Sequence, residues 1–503
     1  MHGSSNSNST SSNSEVVKGT EMTLGISNFD TINPIITTNK KVQDITKLIY
    51  EPLINITSDY NKEYTLAAEC AKVSGTAYVI KLRQGVKWSD GNRFTSNDVK
   101  YTIDRLKESN NSVYANNVSS IQEVDIIDNY TLRIILSKEI DNFEYYLNFP
   151  ILSSNYYLNT DFWNTEKNKA PTTTGRFKIS DVTNNTIILE KNANWWNKED
   201  TSVIQKITIN LYSTVAELYN AFKMGSIDLI STENTAYEQY IGTIGYDLTQ
   251  IDGKEYVFLA LNTSNHILSD INVRKALRCA LDKNRVISNS YGNMYKQSNF
   301  PLNPASFLVT KLPDENFYNV DEVGNLLRNS GWEQKNGVWQ KVENYKTIRI
   351  ELNMVVRAND GIRCKAAEDI KNQFAEQGIL VNIIYAQDNE YNGYLNNVNY
   401  DMMLGKISQP IAPDLTTYFG NNNLAKYNNQ EINEIMQYIG NITDENELKQ
   451  KYQRMYDIYN EEVPYIGIAR NTILAVRNTN LVGEVKANWY NMFYNIKEWY
   501  IIK

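Results

Sequence analysis

Residues Leu82–Leu106 read LRQGVKWSDGNRFTSNDVKYTIDRL, and the order of residue types within them sets the fold class. The run is entered from Tyr78–Leu82, whose alternating, β-branched character predicts a strand. Asp90-Gly91 is a turn pair, because aspartate bonds its own backbone and glycine accepts a positive φ. Thr95-x-x-Asp98 then has the form of a capping box, and Val99, Ile103 and Leu106 repeat at helical spacing. Strand, turn and amphipathic helix in immediate succession predict an α/β chain.

The same punctuation recurs on both sides. Upstream, a strand is expected at Met22–Ile26, then an irregular loop through Asn33-Pro34 and a helix reaching Tyr50. Downstream, Leu132–Leu136, Ile187–Leu189 and Ile207–Leu211 read as strands. Val215, Leu218 and Phe222 mark a helix that Gly225 stops, and Ile227–Ile230 reads as the strand after it. A second set opens with a strand at Tyr256–Leu261 and helices carrying Val273, Ala276, Leu277, Ala280 and Leu281, then Val323, Leu326 and Leu327. Ile348, Ile350, Leu352 and Met354 alternate with polar residues as one strand. A helix bearing Ala366, Ile370 and Phe374 leads from there through Gly378 to a strand at Leu380–Ile384, which predicts a parallel pair joined by a right-handed crossover. Leu448, Tyr452, Met455, Tyr456 and Tyr459 form a last helical stripe before Pro464.

At 503 residues the chain is longer than one hydrophobic core supports, so two or three lobes are expected. Hydrophobic residues at 42% and charged residues at 21% place it among soluble globular proteins. The 50 basic residues are scattered among 58 acidic ones, which excludes a nucleic-acid footprint. No run reaches the roughly 18 apolar residues of a membrane-spanning helix. Gly3–Ser14, read as GSSNSNSTSSNS, is a polar tract expected to act as a flexible tether, with Met1 and His2 standing in place of a removed export signal. Cys70, Cys279 and Cys364 form neither an even disulfide framework nor a Cys-x-x-Cys pair and read as small core residues.

Catalytic constellations with specific spacing are missing. The chain has no Gly-x-Ser-x-Gly elbow, no His-Glu-x-x-His and no Walker loop. Its two histidines are His2 in the tail and His266, read as a solvated loop residue, so a nucleophilic triad has one candidate base at best. Paired carboxylates would suit glycoside hydrolysis, but 58 acidic residues make chance pairs certain. The 35 tyrosines and eight tryptophans suit surfaces that grip ligands by stacking, and ordinary packing accounts for any single one equally well.

Beyond Leu82–Leu106, the chain carries YEPL at Tyr50–Leu53, TGRFKI at Thr174–Ile179, KNANWW at Lys191–Trp196, INVRKALRCALDKNRVI at Ile271–Ile287, YNVDEVGNLLRNSGW at Tyr318–Trp332 and YDMML at Tyr400–Leu404. Together these resemble the extracellular solute-binding proteins of ABC importers for dipeptides, oligopeptides and nickel chelates, family 5, over nearly everything after the polar tract. The resemblance implies a bilobal fold like that of the periplasmic binding proteins (type II, cluster C) with an extra α/β domain inserted in lobe one. The implied division is a tether over 1–19, lobe one over 20–51, 171–262 and 477–503, the extra domain over 52–170 and lobe two over 263–476. Hinge crossings are expected near Asn262 and Val476. Most of the shared motifs, Asp90-Gly91, Asp98, Pro171 and Gly175 among them, read as scaffold.

What the resemblance implies for the site is carried by position. The loop after Asn33-Pro34 nominates Thr37, Thr38 and Asn39 for ligand backbone, and Tyr114 corresponds to an extra-domain tyrosine that covers the ligand. In GKISQPIAPDLTTYF, Gly405–Phe419, peptide-binding relatives show Gly-Trp and then an aspartate that pairs with the peptide α-amine. Here Lys406 replaces the tryptophan, and Gln409 or Ile411 replaces the aspartate, with Asp414 at a later and more structural position. Ser408 and Gln409 join the candidates. Lys406 and Arg357 are either carboxylate anchors or solvated side chains. The expected protein is a monomeric, non-enzymatic receptor with no cofactor and no metal of its own. It is expected to be lipid-anchored at the extracellular face of the membrane, where it delivers an oligopeptide or peptide-like ligand to ABC permease subunits. The alternatives are a nickel-chelate or metallophore receptor of the same fold and, from another class, a glycan-acting enzyme.

Overall fold

A computed structural model describes residues 17–243, 245–310 and 316–502. The polar tract Gly3–Ser14, with Met1 and His2, lies outside them. A four-stranded sheet in the order Glu21–Ser27, Lys206–Tyr212, Thr186–Lys191, Phe177–Val182 forms the base of one lobe. Its first two strands pair in parallel, although 178 residues separate Ser27 from Lys206, because Met22, Leu24 and Ile26 face the same core as Ile207 and Ile209. The short strands Lys18–Gly19, Leu481–Val482 and Tyr500–Ile502 pair with one another and tie the two ends of the described chain into this lobe.

Between Glu51 and Pro171 the chain builds a second sheet of four antiparallel strands, Ala67–Ser74, Ala77–Leu82, Thr131–Leu136 and Ile121–Asp128, against the helix Ser96–Glu108. The deciding stretch takes the form its residue types dictate. Gly91 adopts φ +90, and the Asp98 carboxylate accepts the Thr95 N–H at 2.8 Å. Asp98 also accepts the Trp88 indole at 3.3 Å and the Ser154 N–H and hydroxyl at 2.8 Å each, so this one buried residue starts the helix and pins two loops to it.

The second lobe is built on a seven-stranded sheet. Glu351–Arg357 and Leu380–Ala386 pair in parallel around the helix Gly361–Glu376, as the alternation predicts. The strand read as Ile348–Met354 is two strands. Lys346–Arg349 closes a three-stranded meander, whereas Glu351–Arg357 enters the large sheet. Ile350 lies buried at the break, where its N–H bonds the Trp339 carbonyl and its carbonyl takes the Leu380 N–H.

Two antiparallel strands, Tyr246–Leu261 and Tyr465–Asn478, run through both lobes. Residues 474–477 of the second strand also pair with Leu229–Thr232, in the first lobe, and residues 255–261 of the first pair with Met402–Ser408, in the second. The exchange of neighbours falls at Asp252–Tyr256 and Arg470–Thr472. Of the sequence-based crossings, Asn262 directly follows the end of the first strand and Val476 lies within the second, paired with Leu248 and Ile230. A further contact joins the inserted domain to the second lobe, the Phe307 N–H donating to Asp59 O at 2.7 Å and Asn303 Nδ2 to the Tyr60 hydroxyl at 2.9 Å.

Gly175 shows why a family-like motif carries a glycine without a turn. Its N–H donates to Ile49 O at 2.7 Å, and a Cβ there would lie 2.5 Å from the Ile49 carbonyl carbon and 2.8 Å from its Cα. Backbone cannot yield as a side chain tip does. Gly175→Ala is therefore expected to cost about 1–3 kcal/mol in urea unfolding, and an unchanged midpoint would contradict this contact.

Candidate ligand-binding cleft

The two lobes enclose a cleft of about 970 Å³. One wall is the helix Lys40–Ile49, capped by Asn39, whose side chain accepts the Lys41 N–H. Val42, Ile45, Leu48 and Ile49 bury into the lobe-one core, which turns Lys40, Asp44 and Lys47, spaced i, i+4, i+7, toward the cleft. Lys40 ion-pairs with Asp44. Lys41, on the flank, donates to the carbonyl and hydroxyl of Ser231. Burial pulls the Lys41 ammonium down to about 8 and that of Lys47 to about 7.

Aromatic side chains supply much of the remaining lining. Tyr114 and Tyr146 come from the inserted domain, Tyr219 from lobe one, and Trp489 and Tyr490 from the C-terminal segment. Lys254 lies over the Trp489 ring at 5.5 Å. The opposing lobe contributes Ser408, Gln409, Pro410, Ile411 and Ala412. Between the lobes, the strand bulge at Gly253–Glu255 projects Lys254 and Glu255 into the cleft beside Asn471.

The structure brings Thr38, Tyr114, Ser408 and Gln409 together on this cleft. Gln409 is partly committed, its amide donating to Pro301 O at 2.6 Å. Thr37 is fully buried, and its hydroxyl donates to Asp30 at 2.7 Å. Asn39 caps the wall helix and donates to Ser27 O and Asn28 O, at 2.9 and 3.0 Å. Arg357 pairs with Asp388 at 3.5 Å and covers the Tyr391 ring, away from the cleft lining. Lys406 stands between Glu255 at 3.8 Å and Asp360 at 3.6 Å, so its charge is already met by two carboxylates. Asp414 accepts the Thr416 N–H at 2.8 Å and faces a separate small cavity with Tyr60 and Arg470. His266 is an exposed loop residue bonded to Glu343.

Sequence reasoning passed over Lys41, Lys47, Lys254 and Trp489. The polar i, i+4, i+7 stripe opposite the apolar face of the wall helix was a legible sign of a face turned to something other than the core. The Trp489-Tyr490 pair, in a loop of asparagines, was another.

A second cavity of about 630 Å³ lies within the first lobe and meets the cleft at Lys47, Tyr114, Asn148 and Tyr490, which line both. On its floor, Glu51 of YEPL accepts the indole N–H of Trp195 at 2.9 Å and that of Trp196, both from KNANWW. Two motifs far apart in the chain thus form one latch beneath the wall helix. Among the described residues, no group of three or more His, Cys, Asp or Glu side chains could hold a metal ion. The cleft lining includes neither histidine nor cysteine.

Two lobes joined by paired strands, with the cleft between them and an extra sheet on one lobe, define a bilobal binding-protein fold. The family model described as bacterial extracellular solute-binding proteins, family 5 Middle, matches residues 65–430, and the chain belongs to that family. The oligopeptide-binding protein AppA of Bacillus subtilis is 24% identical over 99% of this chain and 95% of its own length. Its structure in complex with a nonapeptide superposes with TM-score 0.56 at 22% identity, covering 97% of this chain and 100% of that one. MppA, a periplasmic murein tripeptide-binding protein in its unliganded open form, superposes with TM-score 0.79 at 17% identity, covering 97% and 98%. NikZ from Campylobacter jejuni, in complex with Ni(L-His), gives 0.57 at 22% identity, covering 96% and 100%.

Burial raises the Glu51 carboxyl to about 7 against the opposing pull of its two indole donors. A folded-state value above that of the unfolded chain means that stability is complete below about pH 4.5 and is lost as pH rises through 7, since the unfolded chain releases a proton the folded one retains. Wild-type stability should therefore fall by about 3 kcal/mol relative to Glu51→Gln between about pH 4.5 and 8 in denaturant titrations. A pH-independent difference would contradict a carboxyl held neutral by burial.

Proposed function

We propose that this protein captures oligopeptides or peptide-like ligands in the interlobe cleft, closes about the bulged strands, and presents the cargo to the permease of an ABC importer. The observation that carries the reading is the cleft itself. Lobe one and its inserted domain line it with aromatic rings and the second lobe with Ser408 to Ala412, and along its floor runs a pair of strands with a bulge at the crossing. Such a surface grips a ligand backbone while leaving room for varied side chains. Binding in the closed state then drives the lobes together by its differential affinity for that state. The likeness to AppA, whose structure holds a nonapeptide, supports the same reading.

In this reading the protein performs no chemistry on its ligand. It works as a monomer at the extracellular face of the membrane, held by a lipid anchor upstream of the polar tract. A chelate receptor is the second reading, supported by the likeness to NikZ with Ni(L-His). With no histidine or cysteine on the cleft, a metal would have to arrive inside its own chelator.

Native mass spectrometry of protein purified without denaturation tests the reading. The expected result is a heterogeneous mass excess that is released on denaturation as intact peptides. Release of a metal chelate would favour the second reading, and turnover of a peptide or glycoside would contradict a receptor altogether. Gln409 and Ile411 bring no carboxylate to the cleft, and Asp414 is turned away from it. A charged α-amine enclosed at that position would lose hydration without a compensating partner. N-acetylation of a bound peptide series should accordingly change the calorimetric Kd less than about threefold. A loss of about a hundredfold would show that Glu233 or Glu255 holds the amine.

A further inference from the structure

Three of the lysines that line the cleft, Lys41, Lys47 and Lys254, have no carboxylate within 4.0 Å among the described residues, whereas Lys40 is neutralised by Asp44. Lys41 is engaged with Ser231 and Lys254 lies over Trp489. Lys47 is the least satisfied of the three. Its ammonium has three donors, yet it gives one hydrogen bond, to Gln43 O at 3.0 Å, and otherwise faces the Tyr490 ring with Nζ 4.3 Å from the centroid. It is half-buried where the cleft and the lobe-one cavity meet.

Its surroundings are fixed. The Tyr490 hydroxyl donates to Asn148 O, and Tyr114 bonds Tyr490. Asn117 Nδ2 donates to Asn148 Oδ1 at 2.7 Å. A held, half-buried cation with free donors, whose nearby carboxylate Asp44 is already paired with Lys40, is costly in the empty protein and is relieved by an anion. Resting on the reading of the cleft as the ligand site, we infer that Lys47 forms an anion subsite on the lobe-one wall for a carboxylate of the ligand. The depressed ammonium of Lys47 fits this role, because an anion beside it would restore the full charge. The subsite lies on the opposite wall from Lys406, whose charge Glu255 and Asp360 already meet.

The carboxylate belongs either to a peptide C-terminus or to an acidic side chain, and calorimetry with three N-acetylated nonapeptide mixtures separates these. The first lacks acidic residues and ends in a free carboxylate, the second is the same mixture amidated, and the third is amidated with aspartate and glutamate included. Wild type should bind the first or the third at least about tenfold more tightly than the second. Lys47→Met should narrow that gap to about twofold, and Lys47→Gln serves if the first variant does not fold. Equal binding of all three mixtures by wild type, or a gap that survives both variants, would overturn the subsite while leaving the cleft as the ligand site. Failure of wild type to bind any mixture would overturn the peptide reading and the subsite with it.

Discussion

Three residues stand opposite one where the two lobe-crossing strands pair, Gly253, Lys254 and Glu255 against Asn471. The rest of the molecule depends on this bulge. A bulge interrupts the ladder and concentrates twist at one place, so the strands can bend there without losing their pairing on either side. Asn471 fastens it, its side-chain oxygen accepting the Glu255 N–H at 2.8 Å. That oxygen would lie 2.1 Å from a Cβ on Gly253, which accounts for the glycine. Behind the bulge the fully buried Arg470 donates to Gly253 O and Leu302 O, at 3.3 Å each, and tethers the crossing to the second lobe. The same three bulge residues deliver Lys254 and Glu255 to the cleft. Lobe crossing and cleft lining are thus one piece of backbone.

On the other side of the cleft the wall is held from beneath. The helix Lys40–Ile49 ends against Gly175, and the next turn of chain carries Glu51 into its latch with Trp195 and Trp196. These residues come from YEPL, TGRFKI and KNANWW, and none lines the interlobe cleft. Their work is to fix the height and tilt of a helix whose far face carries the lysines.

Much of the fold was legible from residue order. Period-two and period-3.6 patterns located the parallel pair around Gly361–Glu376, the helix after the capping box and the lobe-one strands, because in each case one face is buried and the other is not. The break at Ile350 escaped because a strand that changes sheets keeps its alternation. Asn336-Gly337, with φ of +50° and +80°, was a readable hairpin signal for the meander that ends there. The crossing at Asp252–Tyr256 was not legible, since Asp-Gly-Lys-Glu reads as a turn between separate strands and only pairing with distant strands reveals one strand that exchanges neighbours. The site was legible in part for the same reason. Tyr114, Ser408 and Gln409 fall on the cleft. Thr37 and Asn39 have the residue types of ligand contacts and are spent on Asp30 and on the helix cap. Lys406 and Arg357 had the charge of an anchor, but their partners Glu255, Asp360 and Asp388 come from elsewhere in the chain and became visible only in three dimensions.

In the proposed function, ligand in the cleft draws the two lobes together about the Gly253–Glu255 bulge. Small-angle scattering of the protein, alone and saturated with a peptide mixture shown by calorimetry to bind, measures this directly. A smaller radius of gyration with ligand and an unchanged mass are expected. An identical scattering profile at saturation would contradict it.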